Sequence, residues 1–232
     1  MTKTGLAVLR EVIPQSPVFT TRQAASAAGV TASAATRDLG RMAEQGLITR
    51  IVPGLWADTK HPDFTPYALV PHLVRGGRDA GGGYVSLLSA LSLHGMIEQI
   101  PRVIHVVARA QRHAVSTPIG DFAFHQIDET LFGGFVPFGT LKAFNLATPA
   151  KALFDTLYLS VRRARRFSHL PELTIPGTFR VPEMERWIRT IEHPPLRAAV
   201  SDRWMAVRST WDRVLTHSRM AHDRSSGRIA PR

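Results

Sequence analysis

The most regular pattern of hydrophobic and polar positions lies between residues 20 and 58. Thr20 and Gln23 have the spacing of a capping box, in which each side chain satisfies a free backbone amide of the other residue. Ala-rich sequence follows, and Gly29 can take the left-handed conformation that ends a helix. The pattern therefore predicts a short helix between Thr20 and Gly29.

A second predicted helix begins after its cap residue Thr31, runs to about Gln45 and stops at Gly46. Three of its apolar residues are spaced by four and three positions and therefore share one face: Ala35, Leu39 and Met42. The other faces carry small, hydroxylated and basic side chains, where an inert surface helix would more often carry Glu and Lys.

Residues 48–52 and 55–57 predict two short strands joined by a tight turn at Pro53-Gly54. Helix, turn, helix and hairpin in this order is the plan of a winged helix-turn-helix, whose second helix enters the major groove of DNA. The hairpin then reaches the backbone or minor groove beside it. Hydroxyl and guanidinium groups can donate to phosphates or bases. The predicted DNA-binding residues are Thr31, Ser33, Thr36, Arg37, Arg41 and Arg50.

The segments on either side of this motif complete the N-terminal domain. Residues 4–13 predict a first helix with one apolar face, and Pro14 ends it. That face is formed by Leu6, Leu9 and Ile13. Residues 17–20 are expected to be a connection, and the polar, proline-marked stretch 59–63 predicts a domain boundary.

Beyond residue 63 the chain mixes predicted strands and helices. Residues 67–74 fit either a strand or a short helix. Strands are predicted at 103–108, 122–127, 135–138 and 178–181. Four helices are predicted in this part. One ends at Gly95, one begins at Pro149, and the other two span residues 182–191 and 196–215.

These elements predict an α+β fold with two domains. A winged helix-turn-helix over residues 1–60 precedes a larger mixed α/β C-terminal domain, with a small sheet and several helices, over 64–215. Residues 216–232 are rich in Ser, Gly, Arg and Pro, and we expect them to form a basic, disordered tail.

Composition narrows the possible functions. The chain has no cysteine, so disulfides and thiolate metal sites are excluded. Residues 1–14 lack a signal-peptide core and no apolar run approaches the ~20 residues that cross a bilayer, so we expect a cytoplasmic protein without a membrane partner. The net charge of +11 favours polyanionic partners, either nucleic acid or an acidic protein.

The excess positive charge is concentrated near the C-terminus. Residues 151–232 carry eight more basic than acidic side chains, against three in 1–60 and none in 61–150. The densest cluster is formed by Arg162, Arg163, Arg165 and Arg166. These charges follow a predicted helix, whose C-terminus favours cations. The four arginines are equally suited to form a basic surface that binds DNA, RNA or protein.

Three stretches resemble the AbiEi-type antitoxins of bacterial type IV toxin–antitoxin pairs. They are the winged helix ending in ArgIleValProGlyLeuTrp, residues 84–97 with the IleHisValVal strand that follows, and residues 147–159. Their order and spacing fit from about Thr4 to Leu159. The family usually has an acidic residue at position 150, where this chain has Ala150, so a role resting on an acidic–lysine pair there does not carry over.

The resemblance implies an autorepressor and antitoxin. Its winged helix would bind inverted repeats in double-stranded DNA of its own promoter, as a monomer or weak dimer. Its C-terminal domain would counteract a cognate nucleotidyltransferase toxin, without a stable toxin–antitoxin complex. We expect no cofactor.

Two other functions stay open. One is a winged-helix transcriptional regulator whose C-terminal domain senses a small ligand. The other is a metal-dependent nuclease, for which Asp121, Asp128 and Glu129 would have to gather around an ion. The ten histidines are scattered singly, although His105 and His125 could be neighbours across a sheet. We assign no catalytic and no metal-binding residue and expect no enzyme.

Overall fold

The computed structural model describes residues 2–74, 82–162, 167 and 169–226, with residues 141 and 212–226 described by their backbone alone. Its N-terminal part contains three helices and three strands. The helices are α1 (Lys3–Ala7), α2 (Thr21–Ala28) and α3 (Ala32–Glu44). The strands are β1 (Val18–Thr20), β2 (Thr49–Val52) and β3 (Leu55–Ala57), which form an antiparallel sheet in the order β1-β3-β2.

The local signals around α2 and α3 act as the sequence predicts. The Thr20 amide donates to Gln23 Oε1 at 2.8 Å, and the Gln23 amide donates to Thr20 Oγ1 at 3.2 Å. Gly29 is left-handed with φ of 60°, and Thr31 Oγ1 accepts from the Ala34 amide. These contacts confirm both helix starts. The predicted connection at 17–20 is wrong, because residues 18–20 form β1 beside β3.

The predicted apolar face of the first helix is only partly correct. Ile13 is buried, but Leu6 and Leu9 are each 38% exposed. The helix continues beyond α1 as a π-helical turn over Val8–Val12, in which the Ile13 amide donates to the Val8 carbonyl. That wider turn brings Val8 and Ile13 onto one buried side, whereas five residues of regular α-helix would separate them.

The larger C-terminal part contains a six-stranded sheet in the order β6-β7-β5-β4-β9-β8. The strands are β4 (Gly83–Val85), β5 (Val103–Ala108), β6 (Val115–Thr117), β7 (Gly120–Gln126), β8 (Phe135–Phe138) and β9 (Phe144–Ala147). The β5–β7 and β4–β9 pairs are parallel, and the others are antiparallel. This sheet confirms the predicted strands at 103–108, 122–127 and 135–138.

Within the described residues, five α-helices accompany the sheet. They are α4 (Val70–Val74, after a 3-10 turn over Pro66–Leu69), α5 (Leu87–Leu93), α6 (Pro149–Ser160), α7 (Val181–Thr190) and α8 (Pro194–Ser226). The helix α6 is central, because every residue from Ala150 to Ser160 is buried. No helix within the described ranges is long and apolar enough to cross a bilayer. The mixed α+β fold, with a winged helix-turn-helix followed by a larger domain, is confirmed.

Two predictions near the C-terminus need correction. Residues 178–181 do not form a strand, because Val181 already begins α7 and Pro182 occupies its first turn, where a proline is tolerated. The last helix does not end near residue 215 but runs to Ser226. Residues 216–226 of the predicted disordered tail are therefore helical, and residues 227–232 lie outside the described part of the chain.

The two parts of the chain share apolar contacts. One hydrophobic cluster holds the three-helix unit together and includes Phe19, Leu39, Met42 and Trp56. The core of the C-terminal sheet and helices also takes in residues of the N-terminal sheet, among them Ile51 and Leu55. The wing thus packs against the rest of the protein, and a boundary at 59–63 stays a prediction.

Candidate nucleic-acid interface

The helix α3 has one buried and one exposed face. Ala35 and Leu39 are fully buried and Met42 nearly so, which confirms the apolar face predicted from their spacing. Ser33 and Arg37 are exposed at a spacing of four residues. Burial of one face by the N-terminal core therefore leaves hydroxyl and guanidinium groups directed to solvent.

The two arginines of α3 have different surroundings. Arg41 lies 3.7 Å from Asp38 Oδ1, and its side chain is 63% exposed. An ion pair this long and this exposed is weak, so the Arg41 guanidinium can exchange Asp38 for a phosphate. Arg37 is exposed and lies one turn nearer the N-terminal end of the helix, the part of a recognition helix that contacts base edges.

The three hydroxyl residues are not equivalent. Thr31 Oγ1 accepts the Ala34 amide at 3.2 Å, so its hydroxyl proton can still be donated to another acceptor. Thr36 donates its proton to the Ala32 carbonyl at 2.8 Å, so in this structure it can only accept a further hydrogen bond. Ser33 is exposed on the first turns of α3. Thr31 and Ser33 therefore suit phosphate contacts better than Thr36.

The wing is fixed to the start of α2. Trp56 Nε1 donates to Thr21 Oγ1 at 2.8 Å, and the exposed Arg50 guanidinium lies 5.7 Å from the centre of the Trp56 ring. Gly54 has φ of +81°, which the tight turn between β2 and β3 requires. Arg50 is consequently held on a rigid hairpin beside the helix-turn-helix.

Arg22 is an exposed arginine of this domain that the sequence pattern did not indicate as a DNA contact. Arg22 lies in the first turn of α2, where the backbone amides and the helix dipole also favour an anion. Its position two residues after the capping residue Thr20 was the available signal. Arg22 is therefore a further candidate for phosphate contact.

The basic cluster is described only at its first residue. Arg162 follows the C-terminal end of α6 and is exposed, with its guanidinium 5.5 Å from the centre of the Tyr158 ring. Arg163, Arg165 and Arg166 lie outside the described residues. Two further arginines, Arg186 and Arg189, are exposed on α7.

A buried ionic network in the C-terminal domain was not predicted. Lys151 Nζ donates to Asp155 Oδ1 and to the Leu131 carbonyl, each at 2.6 Å, and both side chains are fully buried. Ser86 and Tyr84 donate to the other Asp155 oxygen, at 2.7 and 3.1 Å. Burial raises the pKa of the Asp155 carboxyl and lowers that of the Lys151 ammonium, while their contact opposes both shifts.

This network connects α6 with β4 and α7, and both charged side chains are fully buried. The Lys151 ammonium lies 4.3 Å from the centre of the Trp187 ring on α7, and a Cβ at Gly134 would come within 2.9 Å of the Lys151 side chain. The i,i+4 spacing of Lys151 and Asp155 on one helix was the sequence signal for the pair. The pair is enclosed by protein, so it serves the packing of α6 against β4 and α7.

The carboxylates that a nuclease would need are not brought together. Asp121 lies at the start of β7 and bonds to Ser116, whereas Asp128 follows the other end of that strand. His105 and His125 are neighbours as predicted, with Nδ1 and Nε2 3.1 Å apart. Within the described residues, no group of three or more His, Asp or Glu side chains could hold a metal ion.

Comparison with known proteins agrees with the geometry of the N-terminal domain. Residues 8–57 match the family model described as "Transcriptional regulator, AbiEi antitoxin". The matched segment runs from the π turn to the last residue of β3 and contains all of α2 and α3. No curated protein matches the chain at a significant level. The resemblance seen in the sequence is thereby confirmed for residues 8–57, which are similar to the AbiEi antitoxin family of transcriptional regulators.

Proposed function

We propose that the protein is an autoregulating antitoxin that binds DNA of its own promoter through α3 and the wing. In the cytoplasm it counteracts a nucleotidyltransferase toxin through its C-terminal domain. The DNA-binding part of this proposal rests on one observation, that α3 has one buried face and one exposed face. Its buried side fixes the helix in the domain, and its exposed side offers Ser33, Arg37 and Arg41 to a groove.

The charge distribution supports binding to a polyanion. The chain has a net charge of +11, and exposed arginines occur on α2, α3 and β2 of the winged helix. Each phosphate that an arginine contacts releases condensed counterions from the DNA, and this release adds close to one unit to the salt slope of binding. Binding of the full chain to its own upstream region should therefore weaken steeply as salt is raised.

Promoter binding is tested by fluorescence anisotropy with two duplexes of equal length and base composition. One carries the upstream region of the gene and the other a scrambled sequence. The proposal predicts tighter binding to the upstream region across the salt series, by about ten-fold or more. Equal affinity for the two duplexes at every salt concentration would overturn sequence-specific autoregulation.

The antitoxin part of the proposal rests on the family and on the basic cluster at 162–166. Replacing its four arginines by glutamine should reduce protection from a co-expressed cognate toxin more than it reduces promoter affinity. The reason is that the cluster belongs to the C-terminal domain and not to the winged helix. Colony survival and anisotropy on the same variant give the two readouts. Equal loss of both would show that the cluster is part of the DNA footprint.

A second candidate is a regulator whose C-terminal domain senses a small ligand. One contact favours this candidate, because it connects a loop of the C-terminal domain to the helix beside the wing. In this contact Arg112 Nη1 donates to the Leu73 carbonyl on α4 at 2.6 Å. Leu73 lies beside the wing, where it lines a hollow together with Val52 and Leu55. Release of promoter DNA on ligand binding near Arg112 would distinguish this candidate from the antitoxin.

A further inference from the structure

A cleft of about 460 Å³ lies between the end of β7 and the end of α6. Its lining comes from three separate segments of the chain. The segments contribute Arg112 after β5, His125 and Asp128 at and after the end of β7, and Tyr158 and Arg162 at the end of α6. The volume falls within the range of about 300–1,000 Å³ that is usual for small-molecule sites.

Two guanidinium groups face this cleft from opposite segments. Arg162 is exposed and Arg112 partly exposed, and one nitrogen of Arg112 is held by the Leu73 carbonyl. A guanidinium has five N–H donors in a planar fork, so Arg112 keeps donors for a ligand after this contact. The fork matches two oxygens of a phosphate, which makes phosphate the anion that such a pair best recognises.

Among the described residues, the lining of the cleft also contains one carboxylate, Asp128, which a site for a bare anion would not favour. Asp128 Oδ1 accepts the Thr130 amide and hydroxyl at 3.0 and 2.8 Å. These hydrogen bonds and the Arg162 charge lower the pKa of the Asp128 carboxyl, which is therefore ionised at neutral pH. Its second oxygen takes part in no hydrogen bond within the described residues. A carboxylate of this kind can accept sugar hydroxyls.

The inner wall of the cleft is aromatic. Tyr158 and His125 are buried, and His125 is backed by His105 and by the edge of Phe167. Burial lowers the pKa of His105 to about 4, so this imidazole is neutral at physiological pH. The wall therefore presents ring surface to the cleft.

We infer that this cleft binds a nucleoside phosphate. The two guanidiniums hold the phosphate, Asp128 accepts the ribose hydroxyls, and the base lies towards Tyr158 and His125. The combination of two guanidiniums with a carboxylate decides the class of ligand. A bare phosphate would be repelled by Asp128, and an uncharged nucleoside would leave both arginines without an anionic partner. The site is separate from the DNA-binding helix and does not depend on the proposed DNA-binding function.

The first test is calorimetric titration of the full chain with ATP and with GTP, without divalent cations and at constant ionic strength. We expect Arg162→Gln to weaken binding by about ten-fold, because it removes a charge-assisted contact to phosphate. Arg189→Gln is the matched control, since it removes the same charge from an exposed position on α7. Equal weakening by both variants, or no binding by the wild-type protein, would overturn the site.

The second test separates a nucleotide site from a simple anion site. Inorganic triphosphate carries the phosphates of ATP without the sugar and base, so wild-type protein should bind ATP more tightly. Asp128→Asn keeps an acceptor for Thr130 but removes the charged acceptor for ribose. The ratio of ATP affinity to triphosphate affinity should therefore fall in this variant. Equal wild-type affinities, or a ratio that Asp128→Asn leaves unchanged, would contradict the assignment of a nucleoside phosphate.

Discussion

Replacing Lys151 by methionine is expected to lower the free energy of unfolding by about 3–5 kcal/mol, because it leaves a buried carboxylate without its cationic partner. Methionine fills much of the space of the lysine stem between Phe154 and Trp187, so the loss comes chiefly from charge and not from a cavity. Urea denaturation followed by circular dichroism measures it. The exposed pair Arg109–Glu129 provides the control, and Arg109→Gln should cost no more than about 1 kcal/mol.

A double variant separates charge from packing. Lys151→Met combined with Asp155→Asn removes both charges, while the asparagine oxygen can still accept from Ser86 and Tyr84. We expect the double variant to be more stable than Lys151→Met alone by at least about 1 kcal/mol. A double variant that is no more stable than the single one would show that the unpaired carboxylate is not the cause.

The same single variant should show a specific dependence on pH. Burial raises the pKa of the Asp155 carboxyl, and removing Lys151 takes away the charge that opposes this rise. The folded variant then holds a proton at pH values where the unfolded chain, with an Asp pKa of about 3.9, has lost it. Its stability therefore falls as the pH rises above about 4, and its deficit against wild type should be smaller at pH 5 than at pH 8.

Replacing Arg37 by alanine is expected to abolish most of the preference for the protein's own promoter over unrelated DNA. An arginine that is bidentate to guanine contributes about 1–3 kcal/mol of discrimination, and Arg37 is the exposed guanidinium nearest the N-terminal end of α3. Arg41→Ala should instead weaken binding to all sequences similarly and reduce the salt slope by close to one unit. Anisotropy titrations on promoter and scrambled duplexes measure both effects.

A control from the same domain guards against a simple charge effect. Arg10 is exposed near the end of the first helix, so Arg10→Ala removes one positive charge without touching α3. Its promoter preference should equal that of the wild-type protein. An Arg37→Ala variant that retains the wild-type preference, or an Arg10→Ala variant that loses it equally, would contradict a recognition role for Arg37.

The winged helix could be predicted because its signals are local. The capping box at Thr20, the left-handed Gly29 and the spacing of Leu39 and Met42 each act within one or two turns of chain. The strand β1 was missed because three residues are too few to show a period of two. The π turn was missed because a sequence pattern assumes a constant helical period, which the Ile13-to-Val8 hydrogen bond breaks.

The ionic network around Lys151 and the β7–α6 cleft could not be predicted, because the residues that form each of them are distant in the chain. The pairing of Lys151 with Asp155 is visible on one helix, but Tyr84, Ser86 and the Leu131 carbonyl reach it only through the folding of the sheet. The β7–α6 cleft likewise brings together residues from three segments, and no spacing in the sequence relates them. The sequence shows that the cluster starting at Arg162 is basic, but not that the Asp128 carboxylate lies in the same cleft.

Site-directed cleavage of DNA tests the central claim, that α3 lies in a groove of the protein's own promoter, most directly. The chain has no cysteine, so Ser33→Cys and Ser209→Cys each provide one thiol for a tethered iron chelate, on α3 and on α8 respectively. The Ser33 conjugate should cut the upstream region within a few base pairs of defined positions, and should cut more strongly there than the Ser209 conjugate. A Ser33 conjugate that still binds this DNA but leaves it uncut would contradict the placement of α3 in the groove.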